Sequence, residues 1–158
     1  MKEPIIVKKE AFQAIGVSIT TTNEKEASNE GKIPVLWNRY FQEKIMHQIP
    51  NQQTKETFAF YSNYESDETG TYQFTIGMPV SSLEEVPENM TTLTIPAATY
   101  AVFTTRKGPV SEVVCEAWEY IWQWSKENTR AFTADFELYD ESAVDPNNVQ
   151  LDIYIALA

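Results

Sequence analysis

ETFAFYSNY (residues 56–64) and TYQFTIGMPV (residues 71–80), joined through SDETG, are the stretch on which the fold turns. Both runs are rich in aromatic and β-branched residues, and the polar turn formers between them end in Gly70, so the pair reads as a β-hairpin. The pattern returns near the C terminus. Thr129 to Tyr139 and Val149 to Leu157 read as another pair of strands, with DESAVDPNN as the loop between them. A shift of 78 lays Ala59-Phe60-Tyr61 on Glu137-Leu138-Tyr139, and a shift of 77 lays Tyr72-Gln73-Phe74-Thr75-Ile76 on Val149-Gln150-Leu151-Asp152-Ile153.

Each hairpin is preceded by a helical stripe. Ile33, Leu36, Trp37, Tyr40, Phe41 and Ile45 recur at helical spacing, with Pro34 suited to a first turn and Pro50 closing the segment. Val110, Val114, Ala117, Trp118, Ile121 and Trp122 form a second stripe after the Gly108-Pro109 break, running to about Asn128. A shift of 81 lays Trp37 on Trp118 and Phe41 on Trp122. Pro4 to Thr22 reads as one strand bent near Gly16, and Met90 to Ile95 and Ala97 to Thr105 as two extended pieces cornered at Pro96. The expected fold is therefore α+β: tandem strand-helix-strand-strand units with pseudo-twofold symmetry, forming an antiparallel sheet with two main helices. One domain, residues 1–158, is expected to comprise pseudo-repeat halves of about 1–82 and 90–158.

Composition narrows function. The 158 residues carry a formal charge of -11, and 42% are hydrophobic, enough for one core. Such a surface repels a duplex phosphate backbone, so no direct nucleic-acid partner is expected. No apolar run approaches the roughly 20 residues of a membrane span, so no membrane partner is expected either. MKEPIIVKKE lacks the long apolar region of a secretory signal, and the one cysteine, Cys115, fits a reducing compartment, so a cytoplasmic location is expected.

Chemistry-bearing motifs are sparse. His47 is the single histidine and reads as a surface or helix-terminus residue; any triad or multi-histidine metal site would have to pass through it. Cys115 reads as a small hydrophobe on the second helix. Five glycines and no phosphate loop disfavour nucleotide binding, and no cofactor or metal is expected. Glu84, Glu85, Glu88, Asp140, Glu141 and Asp145 read as solvated loop charges.

The aromatic residues are more informative. Trp37 and Phe41, like Trp118 and Trp122, lie one helical turn apart, so two helices side by side would wall a groove with rings. A carboxylate there would select cations. Glu137 is the candidate, standing where the other half has Ala59, although strand alternation alone puts it opposite Phe136 and Leu138, on a polar, solvent-facing side. Tyr154 shares this ambiguity, since Leu151, Ile153 and Ile155 occupy the other face.

The ordered set Tyr100 to Pro109, Ala117-Trp118-Glu119-Tyr120-Ile121, Phe136 to Asp140 and Asp152 to Ile155, with the earlier Ile33-Pro34-x-Leu36-Trp37 run, resembles the GyrI-like small-molecule-binding domain. That module occurs fused to AraC-type and other bacterial regulators, and also alone. The resemblance implies a ligand cleft between the halves, a buried glutamate recognising cationic aromatic compounds, matched by Glu137, and a cleft-lining tyrosine, matched by Tyr154. The expected ligand-binding set is Trp37, Phe41, Trp118, Trp122, Glu137 and Tyr154, and the expected partner an aromatic or cationic small molecule. With Pro4 already beginning the first strand, no DNA-reading segment is expected, and a separate regulator would complete a switch. Two alternatives stay open: hydrolysis of electrophilic compounds by water activated at Glu137, with Tyr154 or Tyr139 assisting, and a gyrase-inhibitor-like interaction with a protein target.

Overall fold

The computed structural model describes residues 3–28, 30–67, 69–139 and 147–158; Asp140, Glu141 and Asp145 lie outside them. Among the described residues, eight antiparallel strands form one curled sheet: β1 (Ile5–Lys9), β2 (Phe12–Thr22), β3 (Thr57–Ser62), β4 (Thr71–Val80), β5 (Thr91–Ile95), β6 (Ala98–Thr104), β7 (Ala134–Tyr139) and β8 (Asp152–Ala156). The main helices are α2 (Ile33–Gln42) and α4 (Val110–Trp124); α1 (Asn23–Glu26) and α3 (Ile45–Gln48) are single turns.

The strand order, β1-β6-β8-β7-β3-β4-β2-β5, carries the pseudo-twofold. Outward from the central β3·β7 pair, one flank runs β4, β2, β5 and the other β8, β6, β1. Ala59 pairs with Glu137, the same two residues that the shift of 78 superposes, so the pseudo-dyad passes through that pair. Ile76 sits beside Ala59 and Ile153 beside Glu137, reproducing the shift of 77.

The edge strands are exchanged. β1 leads into β2 yet pairs with β6, and β5 leads into β6 yet pairs with β2. Each flank is completed by chain belonging to the other, so neither flank closes its sheet alone. This exchange corrects the single bent strand expected over Pro4 to Thr22: the chain leaves one flank at Glu10-Ala11 to enter the other. Gly16 instead lies inside β2, opposite Gly77, where a Cβ would come within 2.3 Å of the Ile76 carbonyl oxygen. The two glycines permit that close approach.

Helix α2 starts where Pro34 allows, and the Glu26 carboxylate accepts from the backbone N–H groups of Lys32 (2.8 Å) and Ile33 (3.0 Å), serving the helix start that Lys32 leaves without a side-chain cap. It stops at Gln42, before Lys44 turns left-handed (φ 51°), so the single helix expected up to Pro50 is broken in two and Ile45 belongs to α3. In α4 the buried stripe is Val113, Ala117 and Ile121, which leaves Trp118 and Trp122 on its flank, half-exposed.

Both sheet faces are buried. Leu36 and Tyr40 of α2 pack with Ile15, Val17, Ala59, Phe74 and Ile76 on one side, and Val113, Ala117 and Ile121 of α4 with Phe103, Ile153 and Ile155 beside them. The reverse face closes as the sheet curls around Phe12, Phe58, Phe60, Tyr100 and Phe136. No helix among the described residues is long and apolar enough to cross a membrane.

Candidate functional site

Glu137 stands on the pseudo-dyad and is 2% exposed. Alternation does direct it away from Phe136 and Leu138, which pack on the reverse face. The solvent expected on its own side is replaced by helices, because α2 and α4 cover that face. Its Oε2 accepts from the Tyr61 hydroxyl (2.9 Å) and the Trp118 indole N–H (2.7 Å), and its Oε1 accepts from the Tyr139 hydroxyl (2.7 Å).

The donors repeat the symmetry. Tyr61 and Tyr139 are related by the shift of 78, and each receives a tryptophan from the opposite half. Trp118 of α4 lies edge-on to Tyr61 and Trp37 of α2 edge-on to Tyr139, both with centroids 5.0 Å apart. The symmetry ends at the carboxylate, for Ala59 supplies none. Burial pushes the Glu137 carboxyl up from its ordinary value, against the pull of its three hydrogen bonds. Tyr61 and Tyr139 are pushed well up, first by burial and then by the adjacent Glu137 charge, so both remain neutral donors.

A cavity of about 250 Å³ opens against two of these donors. Tyr61, Tyr64 and Tyr72 of the first hairpin region line it with Trp118 and Trp122 of α4 and with Asn23, Glu26 and Ile33. Of the four helix aromatics, Trp118 and Trp122 line this cavity and Trp37 and Phe41 do not. Trp37 packs against Tyr139, and Phe41, stacked on Trp37 at 5.8 Å, is 64% exposed. Tyr154 lies on the other side of the sheet. Ile153 pairs with Glu137 and shares its face, so the next residue must point through the sheet; Tyr154 stacks on Phe136 at 4.6 Å, beneath the Lys9 ammonium.

The hairpin tyrosines and Arg130 were missed. Tyr61 carried a signal in the repeat, as the counterpart of Tyr139 beside Glu137. Arg130 carried none in the sequence. It is buried, and its Nη2 donates to Asp135 at 2.8 Å; Asp135 also accepts from Tyr64 and from the Ala156 backbone N–H. Cys115 is exposed on the cavity rim instead of buried, because its helix position falls outside the Val113-Ala117-Ile121 stripe. His47 is exposed at the end of α3, and no group of His, Cys, Asp and Glu among the described residues is arranged to hold a metal ion.

The family model described as Cass2, integron-associated effector binding protein, matches residues 5–157. The chain belongs to the Cass2 family. One relative, YobU of Bacillus subtilis, described as a candidate transcriptional regulator protein, is 38% identical over 143 residues, covering 90% of this chain and 89% of its own. Among solved structures, the integron cassette protein VCH_CASS2 of Vibrio cholerae has TM-score 0.78 at 26% identity, covering 99% of this chain and 97% of that one. SAV2435, solved bound to tetraphenylphosphonium, has TM-score 0.82 at 18% identity, covering 99% and 94%. The Cass2 chain is thus an effector-binding domain related to the ligand-binding domains of regulators, and its GyrI-like resemblance holds for family and fold.

Proposed function

We propose that the domain is a receptor for aromatic cations, with Glu137 as the counter-charge behind the wall formed by Tyr61 and Trp118. The observation that carries this reading is a buried carboxylate whose three hydrogen-bond partners are all neutral. An ionised carboxylate held this way keeps much of its desolvation cost, and a cation brought into the adjacent cavity offsets it. Tyr61 and Trp118 offer the cation ring faces worth about 0.5 to 2 kcal/mol. Their polar hydrogens are held by the carboxylate, which enriches the rings and strengthens that attraction. The tetraphenylphosphonium held by the SAV2435 fold is a ligand of this class.

The signalling reading follows from the regulator relatives: a cytoplasmic domain that senses such compounds and passes the occupied state to a separate regulator. The hydrolase alternative has less support, because Glu137 lies behind Tyr61 and Trp118 instead of on the cavity wall. A protein-target role is weakened by the dispersal of acidic residues over loops.

Calorimetric titration with tetraphenylphosphonium and with neutral triphenylphosphine oxide tests the assignment. Glu137→Gln is expected to weaken the cation by about 10- to 100-fold while leaving the neutral compound unchanged, as for loss of an interaction with a charged group. Equal tetraphenylphosphonium affinity in both proteins would remove Glu137 from recognition.

A further inference from the structure

Glu119 stands at the mouth of the cavity with its charge unspent. It lines the cavity together with Trp122, and the same two residues border a shallow hollow on the outer surface of α4 with Glu116, Tyr120 and Gln123. One helical turn separates Glu119 from Trp122, so the carboxylate and the exposed indole share one flank of the helix. Glu119 makes no hydrogen bond or ion pair among the described residues, whereas Glu112 and Glu116 on the same helix hold Arg106. The other acids at the cavity are engaged. Glu26 accepts from the Thr21 hydroxyl (2.5 Å) and from the backbone N–H groups of Lys32 and Ile33, and Glu137 accepts from its three donors behind the wall. Arg130 is the one basic side chain lining the cavity among the described residues, and Asp135 neutralises it. The lining and the carboxylate behind it thus carry three negative charges that no basic side chain of the lining offsets.

We infer that the cavity selects an aromatic dication, whose first positive centre lies against Tyr61 and Trp118 and whose second meets Glu119 and the Trp122 ring at the mouth. The inference rests on the cationic reading of the cavity and adds to it a second charge and the residue that selects it. A single cation offsets the charge of Glu137 and leaves two acids on the lining still repelling each other's field. Glu119 takes the second centre in preference to Glu26, because both Glu26 oxygens are occupied at the start of α2 and those of Glu119 are free. The mouth is wet, so an ion pair and a ring contact there are each weaker than their counterparts inside.

The test uses two compounds of nearly equal shape that differ by one charge, p-xylylenebis(trimethylammonium) and (4-neopentylbenzyl)trimethylammonium, titrated calorimetrically at low salt. The dication is expected to bind about tenfold more tightly, about fivefold from Glu119 and about twofold from Trp122. Glu119→Gln should cut that preference to about twofold and leave the monocation nearly unaffected. The residue is exposed and holds no partner, so its replacement does not disturb folding. Glu88→Gln removes the same net charge outside the cavity lining and should leave the preference at about tenfold, which separates a contact at the mouth from attraction by the whole chain. Equal affinities for the two compounds, or equal losses in the two variants, overturn the Glu119 assignment while leaving the cation reading intact; binding of neither compound overturns both.

Discussion

Asp135 and Glu137 lie two residues apart on β7, both almost wholly buried, yet they are provided for in opposite ways. Asp135 receives a guanidinium, a hydroxyl and a backbone N–H. Glu137 receives two phenols and an indole, none of them charged. A buried ion needs both hydrogen bonds and charge compensation, and only Asp135 has the second. Among the described residues one carboxylate thus has a charged partner, whereas the other is held by neutral donors alone. Burial alone does not tell these two acids apart; the charge of their partners does.

The comparison breaks most visibly at Asp135. Asp135→Asn leaves Arg130 as an uncompensated buried charge, a loss of about 3–5 kcal/mol, and a thermal melt should fall by about 6–20 °C. An unchanged melting temperature would mean that Asp135 is not the residue neutralising Arg130.

Glu137→Gln should act in the reverse sense, by a smaller amount. Burial raises the proton affinity of Glu137 in the folded state, so the folded protein holds that proton to higher pH than the unfolded chain does. Stability is accordingly lost as pH rises from the ordinary glutamate value of about 4.3 through the raised folded value, and then levels off. Glutamine does not titrate and keeps a similar shape. The variant should therefore melt about 2–4 °C higher than the parent near pH 8, a gain of about 1 kcal/mol, with the difference disappearing near pH 4. A variant that melts lower across this range would place Glu137 with Asp135, as part of the scaffold.

The smallest effect separates the two tryptophans that the symmetry pairs. Trp118 donates to Glu137 and lines the cavity; Trp37 packs on Tyr139 and does neither. Trp118→Phe should weaken tetraphenylphosphonium binding about threefold, or about 0.6 kcal/mol, and Trp37→Phe by less than that, both read by titration calorimetry. Equal losses would restore a symmetric cleft walled by both helices.

Much of the fold was legible because it is written twice. The hairpins beginning at Glu56 and Thr129, the paired stripes at Trp37 and Trp118, and the shift of 78 that becomes the Ala59·Glu137 register are local patterns of spacing. The exchange of β1 and β5 was not legible, since nothing in Ile5 to Thr22 tells which flank each part joins. The site was legible in part. Glu137 stood out as an acid in an aromatic run, and Trp118 and Trp122 reach a hollow. Tyr154, carried over from the family likeness, takes the reverse face, as its alternation with Ile153 already indicated. Arg130 has no neighbour in sequence that announces its partners.

What the sequence determined by itself is the periodicity: which side of each strand a residue takes, where helices begin, and that two similar units follow one another, because backbone geometry imposes periods of 2 and 3.6 on any chain. What only the tertiary structure decided is the medium each side faces. Alternation aimed Glu137 correctly, but whether it met water or the rings of Tyr61 and Trp118 depended on helices packing from distant parts of the chain. Electrostatic cost follows from that medium, and so does the difference between an acid paired with a guanidinium and one held by neutral donors.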